Sequence, residues 1–289
     1  MKKFGDRHDG TRVRVEGVLG IINYLKTKRS ESEVYILKKF DVTETLKYYE
    51  KKKKEYAKED EKLTMFYIFA TAIAKTIYLR PRLNRFVINK KVYDRNEVSL
   101  GFVGKTSLED SGDELFECIK FKDTDSLKDV TKKLNHKVKD LKKNEKNVVD
   151  SLISLITRAP GFIQTIFIKI IKFMDNHDLL PSSLTDNLIY HVTCLVTNLG
   201  SIKCGAIYHN LTNFGTNSIL MAIGEIKEEP VMDKNGKIEM RSFVEVGLTL
   251  DERIADGFYF AKSVRYFDYI LQNPEILEQE MKEWIDFEY

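Results

Sequence analysis

The chain has 289 residues, enough for one large domain or two ordinary ones and ample to bury a core. Hydrophobic residues make up 43% and charged residues 31%, the balance of a soluble globular protein, and a formal net charge of +3 gives no bulk pull toward nucleic acid or an anionic membrane. Three scattered cysteines, Cys118, Cys194 and Cys204, fit structural thiols in a reducing compartment rather than a disulfide framework, and no histidine is spaced with cysteine for zinc.

The opening Met1-Lys2-Lys3-Phe4-Gly5-Asp6 is basic but lacks the apolar stretch of a secretory signal, so a cytoplasmic location is expected, with residues 1–30 as an N-terminal arm. β-Branched and aromatic content makes residues 34–40 a strand. Thr43 reads as the N-cap of a helix to about Ala57. Lys51 to Lys54 on that helix are interleaved with Glu50, Glu55, Glu59 and Asp60, which describes a solvated face rather than a basic patch. Residues 63–79 are apolar nearly all round, as in a central helix covering a sheet, and Pro81 stops them. Short strands follow at 86–88, 98–103 and 115–121, with turns at Asn89-Lys90 and Ser111-Gly112-Asp113. Asp125-Ser126 then caps an amphipathic helix that runs to Leu141.

Two helices split at Pro160 are expected between 147 and 177, with Pro181 ending the region. The stretch 151–174 is the most membrane-like in the chain, yet Arg158, Pro160, Gln164, Lys169 and Lys172 interrupt it. A span needs about 20 uninterrupted apolar residues, so no membrane span is expected and these helices are buried or partner-facing. From Tyr190 the texture turns to β, at 192–196, 218–226 and 238–250, with an Asn-Gly hairpin turn at Lys234-Asn235-Gly236-Lys237. The last helix spans 256–271, before Pro274 and a short tail containing Trp284. Without a Pro/Gly/Ser linker or an internal repeat, residues 1–289 read as one α+β domain.

The strand at 243–250 runs directly into Asp251-Glu252-Arg253-Ile254-Ala255-Asp256-Gly257. Upstream lie Asp41-Val42-Thr43, Arg80-Pro81-Arg82-Leu83-Asn84, Thr197-Asn198-Leu199-Gly200 and the run from Asn213 to Gly224. In that order these segments resemble the "DVT", "P-x-L-N", "S-N-x-G", "N-P-P-Q-x-x-I-L-x-x-G" and "H-x-x-x-D-G" segments of the catalytic domain of dihydrolipoamide acyltransferases, the core subunits of 2-oxo acid dehydrogenase complexes. Chloramphenicol acetyltransferases share the last motif. The resemblance extends from about residue 30 to about residue 273, and it places Glu252 where the motif histidine would stand.

The resemblance implies a chloramphenicol acetyltransferase-like fold, a mixed β-sheet flanked by helices, without the lipoyl or peripheral-subunit-binding modules. It also implies a homotrimer with active sites between subunits, a larger assembly remaining open, and coenzyme A or acyl-coenzyme A as substrate, with a small-molecule acceptor and no metal. Carried over residue by residue, the base falls on Glu252 and the oxyanion donor on Thr197. Asp256 becomes an acid that pairs with an arginine, Arg253 or Arg29, and supports the loop. Asn198, Gly200, Asn213, Arg253 and Gly257 are supporting positions, and His209, between the TNLG and NFGT segments, is a candidate to supply the missing imidazole.

Glutamate, with a reference pKa of about 4.3 against about 6.5, is a weaker base than histidine by about 3 kcal/mol. An ionised carboxylate also only accepts hydrogen bonds, where imidazole can donate and accept. Two readings therefore compete: an acyltransferase using Glu252 as base, and a non-catalytic trimeric scaffold in which Glu252 is an ion-pair partner, for instance of Arg253.

Overall fold

The computed structural model describes residues 5–105, 114–141 and 156–287. The turn expected at Ser111-Gly112-Asp113 and most of the helix expected after residue 147 lie outside the described residues. The strands among them are β1 (Gly10–Val13), β2 (Glu33–Asp41), β3 (Arg85–Ile88), β4 (Lys91–Arg95), β5 (Val98–Lys105), β6 (Glu114–Phe121), β7 (Cys194–Asn198), β8 (Ile219–Met232) and β9 (Ile238–Asp251). The helices are α1 (Val18–Leu25), α2 (Thr43–Lys58), α3 (Met65–Leu79), α4 (Leu127–Leu141), α5 (Gly161–Asn176) and α6 (Gly257–Gln272), with one further turn at Ser182–Thr185.

Six strands form the main sheet in the order β2-β9-β8-β7-β5-β6, and β1-β4-β3 form a small second one. β7 runs parallel to both β5 and β8, and the other main-sheet pairs are antiparallel, so the sheet is mixed as the resemblance implied. The long β8–β9 ribbon closes through the expected Asn-Gly turn, where Gly236 takes the positive φ of 79° that such turns demand.

One face of the main sheet carries the core. Phe40, Leu100, Cys194, Ile219, Met221, Leu248 and Leu250 pack there with Ile73 and Ile77 of α3 and Phe260 and Phe267 of α6. α3 is central because its sequence leaves it no polar face. Thr64 caps it by accepting from the Tyr67 amide at 3.3 Å, and Pro81 opens the 3₁₀ turn that follows. Thr43 does not cap α2 as expected. It is the first helical residue, and its hydroxyl donates to Asp41 Oδ1 at 2.6 Å while the cap position falls to Val42.

The opposite face is crossed by an irregular segment, residues 204–212. A Cβ on Gly247 would collide with the Ile207 carbonyl, so the glycine is what lets the segment lie against β9. The segment is pinned at both ends: the Cys204 carbonyl accepts from the Glu225 amide at 3.0 Å, and the Leu211 amide donates to Glu33 Oε1 at 2.6 Å. Tyr208 packs its ring 5.2 Å from that of Tyr35.

α5 begins after Pro160, as expected, but it is not buried. Phe162 is 68% exposed, Phe173 58% and Ile166 55%, and Asp175 at its C-terminal end is its one buried residue. Among the described residues no helix is long and apolar enough to cross a membrane.

Candidate active site

The motif turn hangs from the end of β9 and leads into α6. Its backbone is tied back to the N-terminal region, with the Glu252 amide donating to the Ser32 carbonyl at 2.9 Å. The Glu252 side chain, about 28% exposed, ion-pairs with the Lys26 ammonium rather than with Arg253. Arg253 is buried and turns to Asp251, with Nε to Oδ1 at 2.8 Å and Nη2 to Oδ2 at 2.7 Å. Its Nη1 donates to the Lys26 and Thr27 carbonyls, both at 3.2 Å. The planar guanidinium fork thus locks the turn against the segment before β2.

Among the described residues no arginine pairs with Asp256, contrary to the expected pairing. Asp256 is exposed and caps α6, its Oδ1 accepting from the Tyr259 amide at 2.8 Å, and the acid of the motif turn that is buried and pairs with an arginine is Asp251, five positions earlier. Sequence left the arginine open between Arg253 and Arg29 and took the acid to be Asp256, because spacing alone does not separate the two aspartates of the turn. Gly257 opens α6 with no described residue within 4 Å of where a Cβ would stand.

Thr197 lies in β7, and its hydroxyl is buried with no hydrogen-bond partner among the described residues. Register places Leu37, Gly247, Ala222 and Thr197 in one row across four strands, and therefore on one face, the face that the 204–212 segment crosses. Asn198 is exposed. Gly200 sits against β8, where a Cβ would come within 2.7 Å of the Gly224 carbonyl. His209 is held in the crossing segment with a buried, unpartnered Nε2.

Thr197 and Glu252 do not meet within one chain. Glu252 follows by five residues the Gly247 that shares Thr197's row, and β7 and β9 are separated by β8. That is roughly 16 Å along the sheet and roughly 10 Å across it.

Beside the motif turn opens a cavity of about 250 Å³ that gathers Arg253 and Asn213 with Lys28, Arg29, Asn89, Lys90 and Lys172. Asn213 exchanges hydrogen bonds with Ser30, its Nδ2 donating to Ser30 Oγ at 2.9 Å. In the cavity wall Asp175 Oδ1 meets His191 Nε2 at 3.0 Å and Arg7 Nη2 at 3.4 Å, and Oδ2 accepts from the Gly215 amide at 3.1 Å. Burial pushes the Asp175 carboxyl up, but the His191 hydrogen bond and the His191 and Arg7 charges outweigh it and hold the carboxyl below the usual range. Arg29, Asp175 and His191 were not singled out as a cluster by sequence, since they lie far apart in the chain and no local pattern joins them.

Among the described residues, His8, Asp9 and Asp178 are the group close enough to share a cation. Arg7 already pairs with Asp9 at 2.8 Å and stands 4.0 Å from Asp178, a positive charge that opposes metal entry. Of the thiols, Cys118 is pushed up to about 12 by burial, and Cys194 is raised by full burial, so neither is an activated nucleophile.

The chain matches the family model for 2-oxoacid dehydrogenases acyltransferase (catalytic domain) over residues 20–157 and 178–278, and the unmatched stretch between contains α5. A comparison with curated protein sequences gives no match. Among solved structures it is similar to a probable dihydrolipoamide acetyltransferase from Listeria monocytogenes 4b F2365, at 17% identity and a TM-score of 0.58, covering 94% of this chain and 96% of that one. It is similar to the protein forming the cubic core of the pyruvate dehydrogenase multienzyme complex, at 16% identity and a TM-score of 0.59, covering 91% and 93%. A chloramphenicol acetyltransferase follows at 9% identity and a TM-score of 0.50, covering 91% and 99%. At these identities the likeness is one of fold: a chloramphenicol acetyltransferase-like mixed sheet with helices.

Proposed function

Because this chain belongs to the 2-oxoacid dehydrogenase acyltransferase (catalytic domain) family, we propose that it is a coenzyme A-dependent acyltransferase with altered or reduced catalysis. The observation that carries the reading is the Thr197 hydroxyl, buried and unpartnered on the sheet face that also holds the 204–212 segment. A buried hydroxyl without a partner is costly, and a developing oxyanion is a group that would satisfy it. In the transfer, an acceptor nucleophile attacks the thioester carbonyl, the oxyanion accepts from Thr197, and the group at position 252 takes the nucleophile's proton. The oxyanion then collapses to a carbonyl, the C–S bond breaks, and the departing coenzyme A thiolate takes that proton back from the group at position 252.

The separation of Thr197 from Glu252 within one chain favours a site completed by a neighbouring copy, hence a homotrimer, with a larger assembly open. The Asp251–Arg253 pair keeps the motif turn in shape, while Glu252 replaces the imidazole by a carboxylate. Asp256, Asn198 and Gly200 support the two halves of the site, and the location is cytoplasmic.

A second reading, a non-catalytic trimeric scaffold, is favoured by the Lys26–Glu252 ion pair, which occupies the side chain at the base position. Calorimetry of purified protein with coenzyme A separates the two. Saturable binding is expected for an enzyme or a recent derivative of one, and no binding would leave the scaffold.

A further inference from the structure

The cavity beside the motif turn holds an imbalance of charge. Arg29 is only 6% exposed. Its Nη1 donates to the Thr212 carbonyl at 3.2 Å and its Nη2 to the Val87 carbonyl at 3.1 Å and to the Gly215 carbonyl. Its Nε is buried with no partner, and no carboxylate among the described residues forms an ion pair with it. Burial lowers its pKa to about 10, which still leaves the guanidinium charged at neutral pH.

The other cations lining the cavity deepen the field. Lys90 stands in a left-handed turn, with φ of 49° at Asn89 and 63° at Lys90, and Lys172 comes from α5. Arg253 is neutralised by Asp251, and Lys28 lies 3.3 Å from Glu31. Among the described residues the one acid lining the cavity, Asp175, is engaged by Arg7, His191 and the Gly215 amide. Asp251 and Asp175 act on Arg29 from a distance, against the like charges of Arg253 and Arg7, and burial still prevails. A buried cation hydrogen-bonded only to carbonyls is costly, and an anion entering beside it relieves that cost.

We propose that this cavity is an anion site that receives a phosphate or carboxylate group of a small molecule, held by Arg29 from below and by Lys90 and Lys172 at the rim. About 250 Å³ admits such a group with a small body attached, and the asparagines Asn89 and Asn213 offer further amide donors. Arg253, next to Glu252 in the chain, lines the same cavity, so the bound anion marks one substrate of acyl transfer as acidic. That assignment rests on the acyltransferase reading, whereas anion binding itself does not.

The test is titration of the purified full chain with inorganic phosphate at constant ionic strength, read as a saturable rise in melting temperature and by calorimetry. The Lys90→Glu/Lys172→Glu double variant changes two exposed rim residues and leaves the buried framework alone. It is expected to weaken phosphate binding by about tenfold or more. Lys234→Glu/Lys237→Glu, the same charge change on the β8–β9 turn, is expected to leave it within about twofold. Equal weakening in both pairs, or no saturable binding to the wild type, overturns the proposal. Competition assigns the anion: phosphate that displaces coenzyme A belongs to the acyl donor's site, and phosphate that leaves coenzyme A binding unchanged belongs to the acceptor's. Phosphate binding by a protein that takes no coenzyme A would sink the acyltransferase reading and leave the anion site standing.

Discussion

Within the motif turn, the two aspartates have different physical duties. Asp251 is fully buried and meets both forks of Arg253. Removing its charge strands a buried guanidinium, so Asp251→Asn is expected to cost about 3–5 kcal/mol of stability by chemical denaturation. Asp256→Asn keeps a good N-cap and should cost no more than a few tenths, with Asp256→Ala nearer 1 kcal/mol. An Asp256→Asn cost matching that of Asp251→Asn would contradict the assignment. Thr197 makes the opposite kind of prediction. Its hydroxyl has no partner to lose, so Thr197→Val should leave the melting temperature unchanged or slightly raised. A fall worth more than about 1 kcal/mol would mean the hydroxyl is bonded within the resting protein.

At the scale of elements, α5 is the outlier. Its apolar side chains are largely exposed, and its C-terminal end is fixed through Asp175 to Arg7, His191 and the Gly215 amide. The Asp175 carboxyl is held below its unfolded value. Its contribution is therefore full above the unfolded carboxylate range, near pH 4, and lost as pH falls through the lower folded value. Hydrogen exchange at decreasing pH should show α5 losing protection before α3, and Asp175→Asn should produce the same loss at neutral pH. Equal protection of α5 and α3 down to pH about 3 would contradict this.

The main elements were legible because their patterns are strong. α3 is apolar nearly all round between Thr64 and Pro81, and the β8–β9 ribbon carries its Asn-Gly turn in plain view. β1, β4 and α1 were not anticipated. β4 is a short strand with charged ends directly after Asn89-Lys90, and α1 follows a glycine with no capping side chain, so residues 1–30 read as an arm. The motif turn could be located from sequence, but its partners could not. The Lys26–Glu252 pair spans 226 positions, and nothing local distinguishes it from a pair with Arg253.

For the molecule as a whole, the proposed chemistry requires assembly, because Thr197 lies far from the motif turn within one chain. Light scattering at micromolar concentration should give three chains or a multiple of three, and a monomer would contradict a site shared between copies. In the proposed reading, Thr197, Asn198, Gly200, Asp256 and Gly257 keep the motif pattern and Glu252 stands at the base position. Restoring an imidazole there supplies a group whose pKa lies near working pH, an effect worth about 100- to 10,000-fold. The most direct measurement is therefore acetyl transfer from acetyl-coenzyme A to a small dithiol by wild type, Glu252→His and Glu252→Gln, side by side. Low activity is expected in the wild type, little change in Glu252→Gln and a rise of that order in Glu252→His. An active wild type whose activity is abolished in a folded Glu252→Gln would make the carboxylate the working base and contradict the account.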